Sequence, residues 1–375
     1  MIMDNTVILS LLTLSLPAIT ALTCIVLLMS FYNKSKDANT RSLYSALLFF
    51  FVLIAFNWIY GIIYVCQCEV LPKIDPFIYC TYLLVQVTLY RYTYILTSLP
   101  EEKKFSKKHY IIPTAVLLIT VGWSLFIPDA EKIYSATHVD PTGSHFPFYH
   151  AWVNTRYWGR AILSLIYMVL AVQRIMRYRR EIADYSADSD RSSSNWLLLS
   201  VLLMLPMVII PLGISLFGPL NALTSVGWII PAILIVIHMV VLCYFTITDY
   251  YVIIEENTTE NNIDASVPTT TDMIALNKKI FEEYISRKKP YLNPMLKITD
   301  LCVDLHTNRT YLSAFINKGY GMNFRQYVNS LRLKDAAKLQ LDNEYSNEEK
   351  EELIRSVGFG SMRSYLRARN GNATI

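Results

Sequence analysis

The chain has 375 residues, 53% of them hydrophobic and only 17% charged, with a formal net charge of +4 and a mean hydropathy of +0.31. A soluble globule carries about 25% charged residues, so the composition argues against a wholly soluble protein and for a membrane part. Met1–Thr6 lacks the basic n-region of a signal peptide, and the apolar run after it is long enough to span a bilayer.

Seven apolar stretches precede residue 249, at Val7–Phe31, Tyr44–Val65, Phe77–Thr97, Tyr110–Ile127, Trp158–Met176, Leu197–Phe217 and Val226–Ile247. Each is close to the ~20 residues that cross ~30 Å of hydrocarbon. The third is the most polar, because it contains Gln86 and Arg91. Gly218–Ser225 alone separates the last two, which suits a tight helical hairpin. Pro206, Pro211 and Pro231 predict kinks there.

Lys and Arg set the orientation. The segments at 32–43, 98–109 and 174–196 hold twelve of them, against three in the loops of the opposite side. The basic loops are therefore expected in the cytoplasm, the N-terminus outside and the chain after the seventh span inside.

On the outer side, Cys66 and Cys68 lie in one loop and Cys80 opens the third span. The two readings are a disulfide from Cys80 to Cys66 or Cys68 and three free thiols at a membrane boundary. The longest outer segment, Pro128–Tyr157, carries His138, His145 and His150 among carboxylates and aromatics. Imidazole beside carboxylate suits a sensing or ligand surface, yet the spacings match no metal signature, and a folded loop with surface histidines and an interfacial aromatic belt reads equally. Neither a metal nor a cofactor is expected. Arg91 and Arg160, near span ends, are expected to snorkel, while Gln86 and His238 lie deep enough to line a cavity or to bond between helices. The spans hold no Ser/His/Asp set and no HExxH, so an enzyme is not expected.

Residues 249–272 turn polar and read as a flexible linker between a membrane region, 1–248, and a soluble region, 273–375. The soluble region has 17 Lys and Arg against 11 Asp and Glu, an excess that favours a polyanion. It should open with an amphipathic helix, Met273–Lys288, capped by Asp272, with Ile274, Ile280, Phe281 and Ile285 inward.

Within Ile298–Tyr327, Leu301, Cys302 and Leu305 mark one buried helix face, and Leu312, Phe315 and Ile316 mark a second. His306-Thr307 forms the turn between them, and Thr307 can cap the second helix. This is the helix-turn-helix plan, which presents the start of its second helix to the DNA major groove.

Here the sequence resembles a family. Tyr291–Gly360 is similar to the DNA-binding domain of AraC-type transcription regulators, through Tyr291-Leu292-Asn293-Pro294, Ile298–Cys302, Asn308–Ser313, Gly321, Phe324, Tyr327, Arg332, Ala336 and Gly358-Phe359. The resemblance implies two helix-turn-helix units joined by a helix over Phe324–Leu339, with the second unit at Glu348–Val357 and Ser361–Arg369. It places base reading at Thr310, Ser313 and Ala314, with Asn308 and Arg309 at the helix start, and DNA contacts at Arg363 and Arg367 in the second unit. That unit departs from the family pattern. Ile354 stands where the family has a small residue, Arg369-Asn370 replaces an aromatic-basic pair, and Glu348, Glu349, Glu351 and Glu352 would repel phosphate.

The expected fold is all-α: a seven-helix transmembrane bundle followed by a cytoplasmic AraC-like domain whose second unit is degenerate. The expected protein is a transcription regulator of the bacterial cytoplasmic membrane that binds promoter DNA under control of a membrane or external signal ligand. Dimerisation through the spans would help a tethered domain hold DNA, although the sequence carries no dimer motif. The competing reading is a receptor or transporter-like membrane protein whose tail binds protein and not DNA.

Overall fold

The computed structural model describes residues 5–99, 102–217, 229–254, 276–339 and 346–372, and the described residues form helices and no strand. The chain divides into two compact units. Unit 1 comprises residues 1–97, 103–175 and 195–249, and unit 2 comprises 98–102, 176–194 and 250–375. This division departs from a single boundary between residues 248 and 273, because a segment between two apolar stretches belongs to unit 2.

Unit 1 contains α1 (Asn5–Lys34), α2 (Ala38–Val65), α3 (Leu71–Leu96), α4 (Ile111–Ser124), α5 (Asp129–Thr137), α6 (Pro147–Glu181) as far as Ile175, α7 (Asn195–Leu202), α8 (Pro206–Phe217) and α9 (Ile229–Ile247). Its helices are apolar on the outside as well as the inside. In α1, Leu14, Ala18, Ala21, Cys24 and Leu28 are buried at helical spacing against α2 and α9, while Leu12, Ile19 and Val26 are exposed on other faces. Small residues at such a seam let backbones approach, and an apolar exterior suits lipid. The hydroxyls of Thr13, Thr20 and Thr23 donate to the carbonyls of Leu9, Leu16 and Ile19 one turn back, which satisfies them without water.

Among the described residues, five helical stretches are long and apolar enough to cross a bilayer: Val7–Lys34, Ala38–Val65, Pro147–Glu181, Asn195–Ser215 and Ile229–Ile247. That is the character of an integral membrane protein. Two of the seven expected spans fall short of it. The third, now α3, contains Lys73, Asp75 and Arg91, and the fourth, α4, has only 14 residues. Pro206 starts α8 after a break at residues 203–205, so the kink expected there is present. The hairpin expected at 218–225 lies outside the described residues.

Segment 128–157, expected as a folded external loop, is largely helical. It folds into α5, a tight turn at Pro141–Gly143 and the first turns of α6. The Glu131 carboxylate accepts from the Ser144 hydroxyl at 2.9 Å and from the His145 backbone N–H, and the Tyr134 hydroxyl donates to the Asp140 carbonyl at 3.0 Å.

Unit 2 contains α10 (Lys278–Lys288), α11 (Ile298–Asp304), α12 (Arg309–Tyr320), α13 (Phe324–Ala336), α14 (Asn347–Ser356) and α15 (Met362–Asn372). α10 begins after Asn277, whose side chain accepts from Lys279 N–H. Leu276 and Asn277 are not helical, so Asn277 caps α10 in place of Asp272, and Ile280 is exposed while Phe281 and Ile285 are buried as expected. Asp272 and Ile274, with most of the expected linker, lie outside the described residues, but Val252 and Ile254 at its start are buried in the unit 2 core. That core also takes Tyr178, Ile182, Tyr185 and Ala187, which pack with Phe281, Leu301, Leu312, Ile316 and Phe324.

Candidate nucleic-acid interface

Helix α11 ends in a left-handed residue, His306 with φ +48°. Thr307 N–H bonds the Cys302 carbonyl at 3.0 Å and His306 N–H reaches the Val303 carbonyl at 3.4 Å, the Schellman pattern that closes a helix C-terminus. Asn308 then caps α12 by accepting from Tyr311 N–H at 2.8 Å, so the cap is Asn308 and not Thr307. Leu312 and Ile316 fix the helix to the core, and Phe315 packs edge-on against Phe281. Cys302 lies beneath, and burial pushes its thiol up to about 12, so it stays neutral.

This anchoring turns Thr310, Tyr311, Ala314, Asn317 and Lys318 outward. Thr310 and Ala314 are thus presented as expected, while Ser313 is half-buried and accepts from Asn317. Tyr311 and Lys318 complete the exposed face; the spacing of Leu312 and Ile316 was the signal that pointed to them. Asn308 is committed to its capping bond. Arg309 is not free: its guanidinium lies 3.7 Å from the Glu181 carboxylate and 5.4 Å from the Tyr185 ring centroid.

The second helix pair is better anchored than the sequence suggests. Ile354, Val357 and Phe359 form its core with Tyr365 and Ala368, and Ile354 is fully buried. Ser361 and Ser364 cap α15 reciprocally, each side chain accepting from the other's backbone N–H. Arg369 does not enter this core; it is exposed and lies over Tyr365 at 5.6 Å. Nor does the whole acidic run point away unpaired. Glu349 closes a capping box with Ser346, and Glu351 pairs with Arg355 at 2.9 Å. Of the expected DNA contacts, Arg363 is exposed, whereas Arg367 pairs with Asp190 at 2.5 Å and donates to the Ser189 carbonyl. Asp190 also accepts from the Ser361 hydroxyl.

Segment 176–194 is therefore part of the site. Two arginines of α13 hold it. Arg325 donates to the carbonyls of Ile182 and Ser186 and to the Ser192 hydroxyl, and burial pulls it down to about 10. Arg332, 2% exposed, donates to the carbonyls of Tyr291, Ala187 and Asn293 at 2.8, 3.2 and 2.8 Å, and it is lowered to about 10 by burial. Gly358, at φ +94°, brings its backbone so close that an added Cβ would stand 2.3 Å from the Tyr291 carbonyl oxygen. The signal for the segment was present in the sequence, since Tyr178, Ile182 and Tyr185 carry an apolar stripe past the end of the fifth apolar stretch.

The other expected site residues are placed plainly. Cys66 and Cys68 are exposed beyond α2, Cys80 is buried in α3, and none is in a disulfide. His138 stacks on Tyr134 at 4.4 Å, His145 meets Glu131 through its backbone, and His150 is buried with Nε2 3.0 Å from the Val139 carbonyl. Among the described residues no cluster of His, Cys, Asp or Glu is arranged to hold a metal. The Arg160 guanidinium lies over the Tyr82 ring at 4.3 Å. Gln86 lines a cavity in unit 1; His238 does not, and is buried with Nδ1 2.8 Å from the Ser200 carbonyl.

No family model, no curated protein and no solved structure matches this chain.

Proposed function

We propose that this protein is a membrane-bound transcription regulator of the AraC type, with unit 1 as a sensor and unit 2 as its DNA-binding domain. The observation that carries the reading is α12, capped by Asn308 after a tight turn, anchored from beneath and presenting Thr310, Tyr311, Ala314 and Lys318 outward. The excess of Lys and Arg in the tail and the family motifs from Tyr291 to Phe359 support it. In this reading seven helices cross the bacterial cytoplasmic membrane, and unit 2 lies in the cytoplasm, as the basic segments favour. α3, with 26 residues, is about 39 Å long and so has the reach to be one of the crossings; its Asp75 is buried inside the unit.

Glu181 and Asp190 hold Arg309 and Arg367, one arginine from each helix pair. A carboxylate there stands where a DNA phosphate would stand, so this arrangement is a self-held form. Because 176–181 is the end of α6, a signal that moves α6 would release both arginines. The same occupation favours the second reading, a tail that binds protein.

The test is intact protein in nanodiscs, titrated with promoter fragments chosen by genome-wide mapping of bound DNA. A regulator loses affinity steeply as salt rises, and Glu181→Gln with Asp190→Asn tightens binding at least fivefold. If neither form binds any duplex, the protein-binding reading stands instead.

A further inference from the structure

Unit 1 holds a partly open cavity of about 90 Å³ with walls from several helices, including α2, α3, α6 and α8. Most of the lining is apolar, but two arginines, Arg156 and Arg160, reach it from one face of α6, four residues apart. A single acid answers them. Asp75 on α3 accepts from Arg156 at 2.8 Å and from the Tyr60 hydroxyl at 2.5 Å, and Arg156 also donates to the Ala136 carbonyl and the Tyr157 hydroxyl. Arg156 is thereby paired with a carboxylate, although its Nε is buried with no hydrogen-bond partner among the described residues.

Arg160 is not so paired. Its contacts are the Tyr82 ring, 4.3 Å from the guanidinium, and the Met207 sulfur. Among the described residues its Nε, which is buried, finds no hydrogen-bond partner, and no carboxylate lines the cavity. The Gln86 Nε2 amide, on a side chain 4% exposed, and the Tyr64 hydroxyl are likewise buried and unpartnered on the same cavity. An unmatched guanidinium among apolar helices is costly. Its planar fork matches a carboxylate, and the amide and hydroxyl beside it supply further donors.

We propose that this cavity binds a small organic monoanion, a carboxylate on a short apolar body, whose charge pairs with Arg160. The volume sets the size. A cavity of roughly 150 Å³ holds the six heavy atoms of benzene, so 90 Å³ takes a body of about four heavy atoms. Trp58, Ile210 and Ile235 surround the apolar end. Only the step that makes this ligand the signal rests on the regulator reading; the binding itself does not.

The experiment is equilibrium binding to the intact protein in nanodiscs of phosphatidylcholine alone, read by Trp fluorescence and by thermal shift, with no DNA present. The probes are acetate, propionate and butyrate, each against its neutral amide. The expected result is saturable binding of at least one acid, at least tenfold tighter than its amide, with the fluorescence change lost in Trp58→Phe. Arg160→Gln should weaken the acid at least tenfold and leave the amide unchanged. The proposal is overturned if no acid saturates, if acid and amide bind alike, or if folded Arg160→Gln binds the acid as the native protein does. A thermal shift produced by phosphatidylglycerol in the nanodisc, and by none of the acids, overturns it as well and assigns the charge to a lipid headgroup. The acid–amide comparison uses the native protein, so it stands even if Arg160→Gln fails to fold.

Discussion

The first helix pair of unit 2, α11–α12, draws its core from three separated stretches of chain, 178–187, 252–254 and 276–328. The second pair, α14–α15, draws its core from one stretch running from Leu333 to Ala368. Both present an arginine-bearing helix, yet one is built into a composite domain and the other closes on itself. Arg332 joins them: its guanidinium serves carbonyls of the first half and of segment 176–194 and lies 5.7 Å from the Phe359 ring of the second. The difference teaches that the larger core and the tighter arginine pair need not reside together. The half with the larger core has its arginine held in a loose pair at 3.7 Å, and the smaller half has its arginine held tightly by Asp190.

The largest expected effect erases the comparison. Arg332→Met strands the buried carbonyls of Tyr291 and Ala187 and the partly buried one of Asn293, and should cost about 3–5 kcal/mol. Hydrogen exchange should then rise in α12 and α15 together; protection lost in one pair alone would show that Arg332 does not join them. Next, Leu312→Ala and Ile354→Ala should each cost about 2–5 kcal/mol but in different places. Leu312→Ala should loosen α11, α12 and segment 176–194, and Ile354→Ala only α14 and α15, by the same measurement. Asp190→Asn should leave stability within about 1 kcal/mol and steepen the salt dependence of DNA binding by about one unit of slope as Arg367 reaches a phosphate. Glu181→Gln should do less, because its pair with Arg309 is longer and Glu181 is 44% exposed. An equal loss of DNA affinity in Arg309→Ala and Arg363→Ala would mean that the first pair does not dominate binding.

His306→Gly should stabilise the first pair by about 1 kcal/mol, since His306 holds a left-handed conformation that glycine adopts freely; a lower unfolding temperature would contradict it. The smallest effect is at Asp335. Its carboxyl lies below its ordinary range because it accepts from Lys338 and then from Tyr291. A depressed carboxyl stabilises the fold above its unfolded pKa, and that contribution fades as pH falls through the folded one. Asp335→Asn should therefore melt slightly below the native protein at pH 7, with the gap closing in acid.

Local chemistry made much of this legible in the sequence. Period-matched apolar residues located the α11 and α12 helices to within a few residues, and the family resemblance implied helices close to α13, α14 and α15. Hydropathy found the five strongest apolar helices. What it missed is non-local. Segment 176–194 looks like a basic loop because its arginines dominate, and its partners Leu296, Ile298 and Arg325 lie more than a hundred residues on. The Arg160 site was hidden for a similar reason, since a lone arginine near a span end reads as an interfacial anchor until Asp75 is seen to serve Arg156 instead.

That Tyr178, Ile182, Tyr185 and Ala187 belong to the core of unit 2 bears on how the protein can be switched. A protease that cut after Ile254 would free a fragment lacking four of its own keystones, with Arg325 and Arg332 deprived of the carbonyls they grip. Clipping there would dismantle the core of unit 2 and not release it whole, so a cut after Ile254 is a poor way to free a working unit 2.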